Sequence, residues 1–339
     1  IIAGISLYRP GPMDSIPMYI KNKENNSNIK YIHEKLKPIL SVTNGIMIYQ
    51  EQVMQAVRDL AGYSYGRADL VRRAMSKKKM DVMEQERKNF VYGNEEENII
   101  GCIKNGVDEE SANKIFDDMI DFANYAFNKS HAAAYAVISY QTAYLKTHYK
   151  VEFMAALMSS VIGNIDKIIE YKIDCEENDV KILPPDINYS YSDFHVENDA
   201  IRFPLSALKG IGFAVADNIA FEREKNGDYT SFEDIVERLE SKNINKKVVE
   251  SLIKSGAIDS LIPNRASIMS NYESIINSIQ LRKKNNIQGQ ISFFNNESIK
   301  NYRQDSIVKI NEFSHEILLS MEKDILGFYL SGNPLDKYK

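Results

Sequence analysis

The chain has 339 residues, 44% of them hydrophobic and 26% charged, which is ordinary for a globular protein and long enough for two or three domains with sizeable cores. No apolar run reaches membrane-spanning length and no basic-then-apolar amino terminus is present, so an embedded or secreted chain is not expected. Two cysteines, Cys102 and Cys175, lie far apart with no C-x-x-C, which argues against a disulfide framework or zinc site and fits a reducing, cytoplasmic setting.

The net charge of −5 conceals an asymmetry. Residues 1–80 carry thirteen Lys/Arg against six Asp/Glu, whereas residues 81–120 carry four against eleven. A net acidic protein with a local basic segment can still bind phosphates, because those contacts depend on the local field. For the scattered lysines a solvated surface explains the charge as well. It explains Arg72 and Arg73 less well, since they sit beside apolar Leu70, Val71, Ala74 and Met75.

In chain order, the first twenty residues contain Arg9-Pro-Gly-Pro12 and Pro17, and an ordered loop without regular helix is expected. The chain begins at Ile1 within Ile-Ile-Ala-Gly-Ile-Ser-Leu-Tyr-Arg-Pro, which is expected to be the interior of something longer. Asn22 to Asn28 is a polar tract expected to be exposed. From Tyr49, Val53, Met54, Val57 and Leu60 recur at three- and four-residue spacing, which predicts a helix closed by Gly62. Further helices are expected at about 66–76, 78–91, 109–123, 131–148, 151–162 and 164–178, with 93–110 as a connection. The helix from His131 is apolar nearly all round and is predicted to be buried. Leu183-Pro-Pro-Asp-Ile-Asn188 has the composition of a stiff linker and marks the expected domain boundary. Short strands are expected near Phe194–Val196 and Ile201–Phe203, then a turn at Leu208-Lys-Gly-Ile-Gly212 and a helix through Ala216 and Ile219. A second helical pair around Gly256 is expected between Asn245 and Leu261. Residues 282–306 are polar and predicted flexible. The tail from Met321 to Pro334 is expected to enter a further domain.

Three segments carry candidate chemistry. Asn124-Tyr-Ala-Phe-Asn-Lys-Ser-His-Ala-Ala-Ala-Tyr135 places a ring, a cation, a hydroxyl and an imidazole at the start of a helix. Tyr125, Lys129 and His131 can thus face a flat polar ligand, although Tyr125 and His131 taken singly are more often core or capping residues. Ser130 reads equally as a helix cap. Arg72 and Arg73, with Lys77, Lys78 and Lys79, can pair with a triphosphate, because an arginine fork matches phosphate oxygens; a plain basic helix face is the other explanation. Gly210-Ile-Gly212 after Lys209 has the core of a helix-hairpin-helix signature, in which backbone N–H groups at a helix start donate to a DNA phosphate oxygen without reading sequence. A plain helical hairpin remains the alternative. Glu51 is expected to be structural, and Asp117 and Asp118 to lie on the surface. No phosphate-binding Gly-x-x-x-x-Gly-Lys-Ser/Thr loop, no His-Glu-x-x-His, no Gly-x-Ser-x-Gly and no Asp-x-Asp pair suited to two metals occurs. No catalytic or metal-binding residue is therefore assigned.

The motifs together resemble one family. Leu7-Tyr-Arg-Pro-Gly-Pro12, Gly45-Ile-Met-Ile-Tyr-Gln-Glu-Gln-Val-Met54, Ala68-Asp-Leu-Val-Arg-Arg-Ala-Met75 and Phe127-Asn-Lys-Ser-His-Ala-Ala-Ala-Tyr135 are similar to the alpha subunit of bacterial DNA polymerase III, the C-family replicative polymerase. The likeness continues through Ser139–Lys146, Ile182–Asn188 and Ala207–Gly212 to Leu326-Gly-Phe-Tyr-Leu-Ser-Gly-Asn-Pro334. It implies a mainly α fold, with a helical fingers domain over 1–185, a tandem helix-hairpin-helix region over 186–280 with a few short strands, and a linker over 281–339 towards an OB-fold domain. By motif, Arg72 and Arg73 would grip the triphosphate, Tyr125, Lys129 and His131 would meet the incoming dNTP, and Lys209, Gly210, Ile211 and Gly212 would hold duplex DNA. Primer-template DNA and replicase subunits such as the sliding clamp are the implied partners. Mg²⁺ is the implied cofactor, acting through palm carboxylates that precede this stretch in the family, so the chain alone is expected to be inactive as a DNA-directed DNA polymerase. A non-enzymatic helix-hairpin-helix DNA-binding module is the alternative; it leaves the 124–135 run and the arginine pair unexplained. A repair glycosylase or ligase would need a catalytic Asp or Lys after the hairpin or a cysteine zinc site, and neither is visible.

Overall fold

A computed structural model describes residues 1–77, 80–123, 125–239, 244–285 and 308–335. Within them the fold is mainly α, with one three-stranded sheet. Two compact units divide between Ala143 and Tyr144.

The first unit is built on α4 (Gln50–Ala61), whose Val53, Ala56, Val57 and Leu60 are fully buried at the predicted spacing. They pack with Val71 and Met75 of α5 (Tyr65–Ser76), Phe90 of α6 (Met80–Tyr92) and Ile115, Phe116 and Met119 of α7 (Glu109–Ala123). Phe90 and Phe116 meet with ring centroids 5.4 Å apart. Gly62 ends α4 in the left-handed region at φ +78°, as expected, and a Cβ there would press on Ile100. The buried Gln52 fixes the entry to α4. Its Oε1 accepts the N–H groups of Ile48 and Tyr49, while its Nε2 donates to Ile39 O in the short α3 (Lys37–Leu40) and to Thr43 Oγ1. Both acceptor lone pairs and both N–H donors of that buried amide are in use, which is why it can sit in the core.

Two expectations for this unit fail. The first twenty residues are not a loop: they form α1 (Ile2–Leu7), a 3-10 turn at Pro12–Ser15 and α2 (Ile16–Glu24). The prolines permit this because Pro12 and Pro17 fall in first turns, where a missing N–H breaks no internal bond. Nor is the helix from His131 buried. In α8 (Lys129–His148) only Ala132 and Ala136 are buried, and Tyr135, Val137, Ile138 and Tyr140 are exposed. Alanine-rich sequence has the propensity to hold a helix without a full packing partner, so an apolar pattern did not here imply a buried one. α2 runs into the polar Asn22–Asn28 tract, whose last residues form a short 3-10 turn.

The second unit contains α9 (Lys150–Ser159), α10 (Ile165–Glu177), the sheet and the remaining helices. Strands β1 (Ile182–Leu183), β2 (His195–Glu197) and β3 (Ala200–Arg202) have the order β1-β3-β2. β2 and β3 form a hairpin, pairing His195 with Arg202, and its two turn residues Asn198 and Asp199 take φ +49° and +59°. β1 joins β3 in parallel, Ile182 opposite Ile201; it was not anticipated from the sequence. Ile201, Phe203, Leu205, Leu208 and Ile211 enter one core with α11 (Phe213–Asn226), α12 (Phe232–Arg238) and α13 (Lys246–Lys254).

The expected stiff linker is instead folded into this unit. Ile187 is fully buried with its N–H on Ala257 O at 2.7 Å, and Asn188 exchanges two bonds of 2.8 Å with the Tyr229 backbone. Proline rigidity here serves packing rather than spacing. The second helical pair does not close by Leu261. α13 is followed by turns through Gly256 at φ +79°, and α14 (Arg265–Asn285) starts only at Arg265. Most of the polar 282–306 stretch lies outside the described residues. Part of the tail is packed: Leu326, which ends the helix His315–Leu326, and Phe328 join the same core, with the Phe328 ring centroid 6.0 Å from that of Phe203. Among the described residues, no helix is long and apolar enough to cross a membrane.

Candidate nucleotide and nucleic-acid site

Three segments distant in sequence meet at the start of α8. Phe127 forms an isolated parallel bridge with Tyr49, its carbonyl accepting the Gln50 N–H at 2.9 Å, and Gln50 Nε2 donates to Ala126 O at 3.1 Å. Arg9 reaches in from the amino-terminal motif. Its Nη2 donates to Tyr125 O at 2.7 Å, its Nε to Ser6 O at 3.0 Å, and its guanidinium lies 4.4 Å over the Phe127 ring. Gly11 takes φ +96° directly under Tyr125, where a Cβ would stand 2.6 Å from ring carbons. On the other side, both Glu51 oxygens accept the Lys129 N–H at 3.1 Å, placing a carboxylate at the positive end of a twenty-residue helix. Glu51 thus has a structural role here.

This geometry gathers Tyr125, Lys129 and His131 on an exposed surface. Tyr125 is 49% exposed. Lys129 Nζ lies 5.6 Å from the Tyr49 ring centroid. His131 stacks on Tyr135 at 4.7 Å and meets the edge of Phe127 at 5.4 Å, forming a short ladder of three rings. The helix cap is Asn128, whose Oδ1 accepts the His131 N–H at 2.9 Å, and not Ser130. Asn124 falls outside the described residues. Arg9, Gly11, Phe127 and Asn128 were not assigned roles from sequence. The only signal was that Arg9 and Gly11 lie in one motif and Phe127 and Asn128 in another.

Arg72 and Arg73 are carried by α5. Among the described residues no hydrogen bond or ring contact joins either of them to the loop before α8. Both are held by Asp69: Arg72 through Nε at 3.0 Å and Nη2 at 2.7 Å to Oδ1, and Arg73 through Nε at 2.8 Å to Oδ2. The Arg72 hydrogen bond, aided by the charges of both arginines, lowers the Asp69 pKa below its ordinary value. Lys77 is exposed at the end of α5, and Lys78 and Lys79 lie outside the described residues.

In the second unit, Gly210 takes φ +94° with the Lys247 stem 3.0 Å from where a Cβ would be, and Ser251 Oγ of α13 donates to Lys209 O at 2.6 Å. Ile211 is buried and anchors the turn, while Lys209 and Gly212 are exposed. Gly212 caps α11 in extended conformation, and a Cβ on it would meet nothing within 4 Å. The turn therefore presents the N-terminal N–H groups of a fourteen-residue helix beside a lysine. Among the described residues, no group of three or more His, Cys, Asp or Glu side chains is placed to hold a metal ion.

A family model for the bacterial DNA polymerase III alpha subunit finger domain matches residues 1–98, and one for the helix-hairpin-helix motif matches residues 179–268. Among curated relatives, DNA polymerase III subunit alpha of Borreliella burgdorferi is 44% identical, over 100% of this chain and 29% of its own length. The proteins of the same name from Thermus aquaticus and Bacillus subtilis are 42% and 39% identical, each over 100% of this chain and over 27% and 29% of their own lengths. The chain spans under a third of the length of the relatives it matches. Along all of its own length, then, it belongs with the bacterial DNA polymerase III alpha subunits, matching a finger-domain and a helix-hairpin-helix portion of them.

Proposed function

We propose that this chain supplies the nucleotide-facing and duplex-holding parts of a template-directed DNA polymerase. Residues 1–185 act as fingers over the incoming dNTP, residues 186–280 hold primer-template DNA, and 281–339 lead onward. The observation that carries the nucleotide reading is the convergence of Arg9, Gly11 and Glu51 on the start of α8. It fixes the backbone of the loop while leaving Tyr125, Lys129 and His131 exposed. A fixed backbone with exposed rings and an exposed cation suits a flat base and its phosphates, because little is left to order on binding. Arg73, 62% exposed, is the open member of the arginine pair, and Arg72, 16% exposed, the anchored one. For the duplex, the α11 start and Lys209 offer backbone N–H groups and a charge, a mode that binds any sequence and weakens with salt.

The test is steady-state primer extension by the polymerase subunit that carries this chain, with dNTP titrated. Arg73→Ala and His131→Ala are each expected to raise the nucleotide KM about tenfold, the loss of roughly 1.4 kcal/mol of binding. Unchanged nucleotide dependence in both variants would remove the assignment.

A further inference from the structure

We propose that Asp69 is the positioning residue of the arginine pair, each of its carboxylate oxygens holding one guanidinium so that both face a triphosphate together. The inference rests on the nucleotide reading above. Asp69, Arg72 and Arg73 stand at i, i+3 and i+4 on α5, which brings all three side chains to one helix face. The opposite face carries Ala68, Val71 and Met75 into the core, so the helix is a firm mount. Oxygen Oδ1 takes two nitrogens of Arg72, and Oδ2 takes Arg73 by Nε, the inner nitrogen of its fork. Beyond that grip Arg73 remains 62% exposed. Adjacent guanidiniums repel, and both side chains are rich in rotamers. A shared carboxylate offsets the repulsion and removes rotamer freedom before any ligand arrives. One negative charge between two positive ones still leaves the cluster cationic.

The opposite role is a definite rival. If Asp69 were an internal anion occupying the forks, removing it would free the arginines and tighten nucleotide binding. The two roles give opposite signs for one substitution. In the intact polymerase subunit, Asp69→Asn keeps the shape but loses the charge and turns an N–H₂ donor towards one guanidinium. The expected result is a nucleotide KM raised about tenfold with kcat little changed, since the interaction lost is made equally before and in the transition state. Asp69→Glu, which still reaches both arginines from the same helix position, is expected to restore a KM within about twofold of the parent. A merely structural aspartate would lower kcat or the amount of active enzyme and leave KM in place. A KM that is unchanged or lower in Asp69→Asn overturns the proposal, as does failure of Asp69→Glu to restore it. Arg73→Ala run alongside separates the two readings. If it leaves KM unmoved, the arginine part of the nucleotide assignment has failed and the Asp69 role with it; if it raises KM while Asp69→Asn does not, only the Asp69 role has failed.

Discussion

Replacing Gly11 with alanine should disturb Tyr125, more than a hundred residues away in sequence, and the size of the effect can be worked out. Gly11 sits at φ +96° and ψ −71°, a region essentially closed to residues with a Cβ, and holding alanine there costs about 1–3 kcal/mol. The new methyl would also stand 2.6 Å from two Tyr125 ring carbons. Because that ring is half exposed it can swing away, at about 0.5–1.5 kcal/mol for a displaced rotamer. Gly11→Ala should therefore cost about 1.5–4.5 kcal/mol in the parent, and only the backbone part in a Tyr125→Ala background. The cycle predicts a coupling of about 0.5–1.5 kcal/mol, measured by reversible urea unfolding followed by circular dichroism with m unchanged. In the polymerase, Gly11→Ala should raise the nucleotide KM alongside, because it moves a ring assigned to the nucleotide. Additivity within about 0.3 kcal/mol would refute the contact and with it the claim that the amino-terminal motif shapes the site.

The two hairpin glycines should respond differently. Gly210→Ala forces a positive φ and is expected to destabilise by about 1–2 kcal/mol. Gly212→Ala, at φ −90° with open space around it, should leave the melting temperature within a degree or two yet weaken duplex binding several-fold by keeping a phosphate off the helix start. Equal duplex affinity for Gly212→Ala and parent in a fluorescence-anisotropy titration would remove the phosphate contact. Burial pushes Cys102 up to about 12 and Cys175 up to about 11. Neither thiol should react with Ellman's reagent within minutes at pH 8 until denaturant is added, when both should. The same shifts fix the alkaline behaviour: the unfolded thiols ionise from about pH 9 while the folded ones stay protonated, so their contribution to stability is full below pH 9 and is lost as pH rises through 11–12. A denaturation midpoint that is flat or rising across pH 9 to 11 would contradict it.

Much of the local structure follows from sequence. Each of the six helices expected between Gly62 and Asn178 is present within three residues of its expected bounds, because apolar spacing, caps and glycine stops are local signals. β1 was missed since a two-residue parallel strand has no period to detect and exists only through its pairing with β3. The failures at α1, α2 and α8 have related causes. Proline acts by its position within a helix, and burial depends on what lies opposite. In the site, sequence alone picked out Tyr125, Lys129 and His131 as neighbours on one helix start, and Arg72 and Arg73 as a pair, because local spacing fixes such groupings. Only the tertiary structure brought Arg9 to Phe127, Gly11 to Tyr125 and Glu51 to the Lys129 N–H. Those contacts join residues about 80 to 120 positions apart, and no periodicity encodes a distance that the packing of α4 to α8 has first to create.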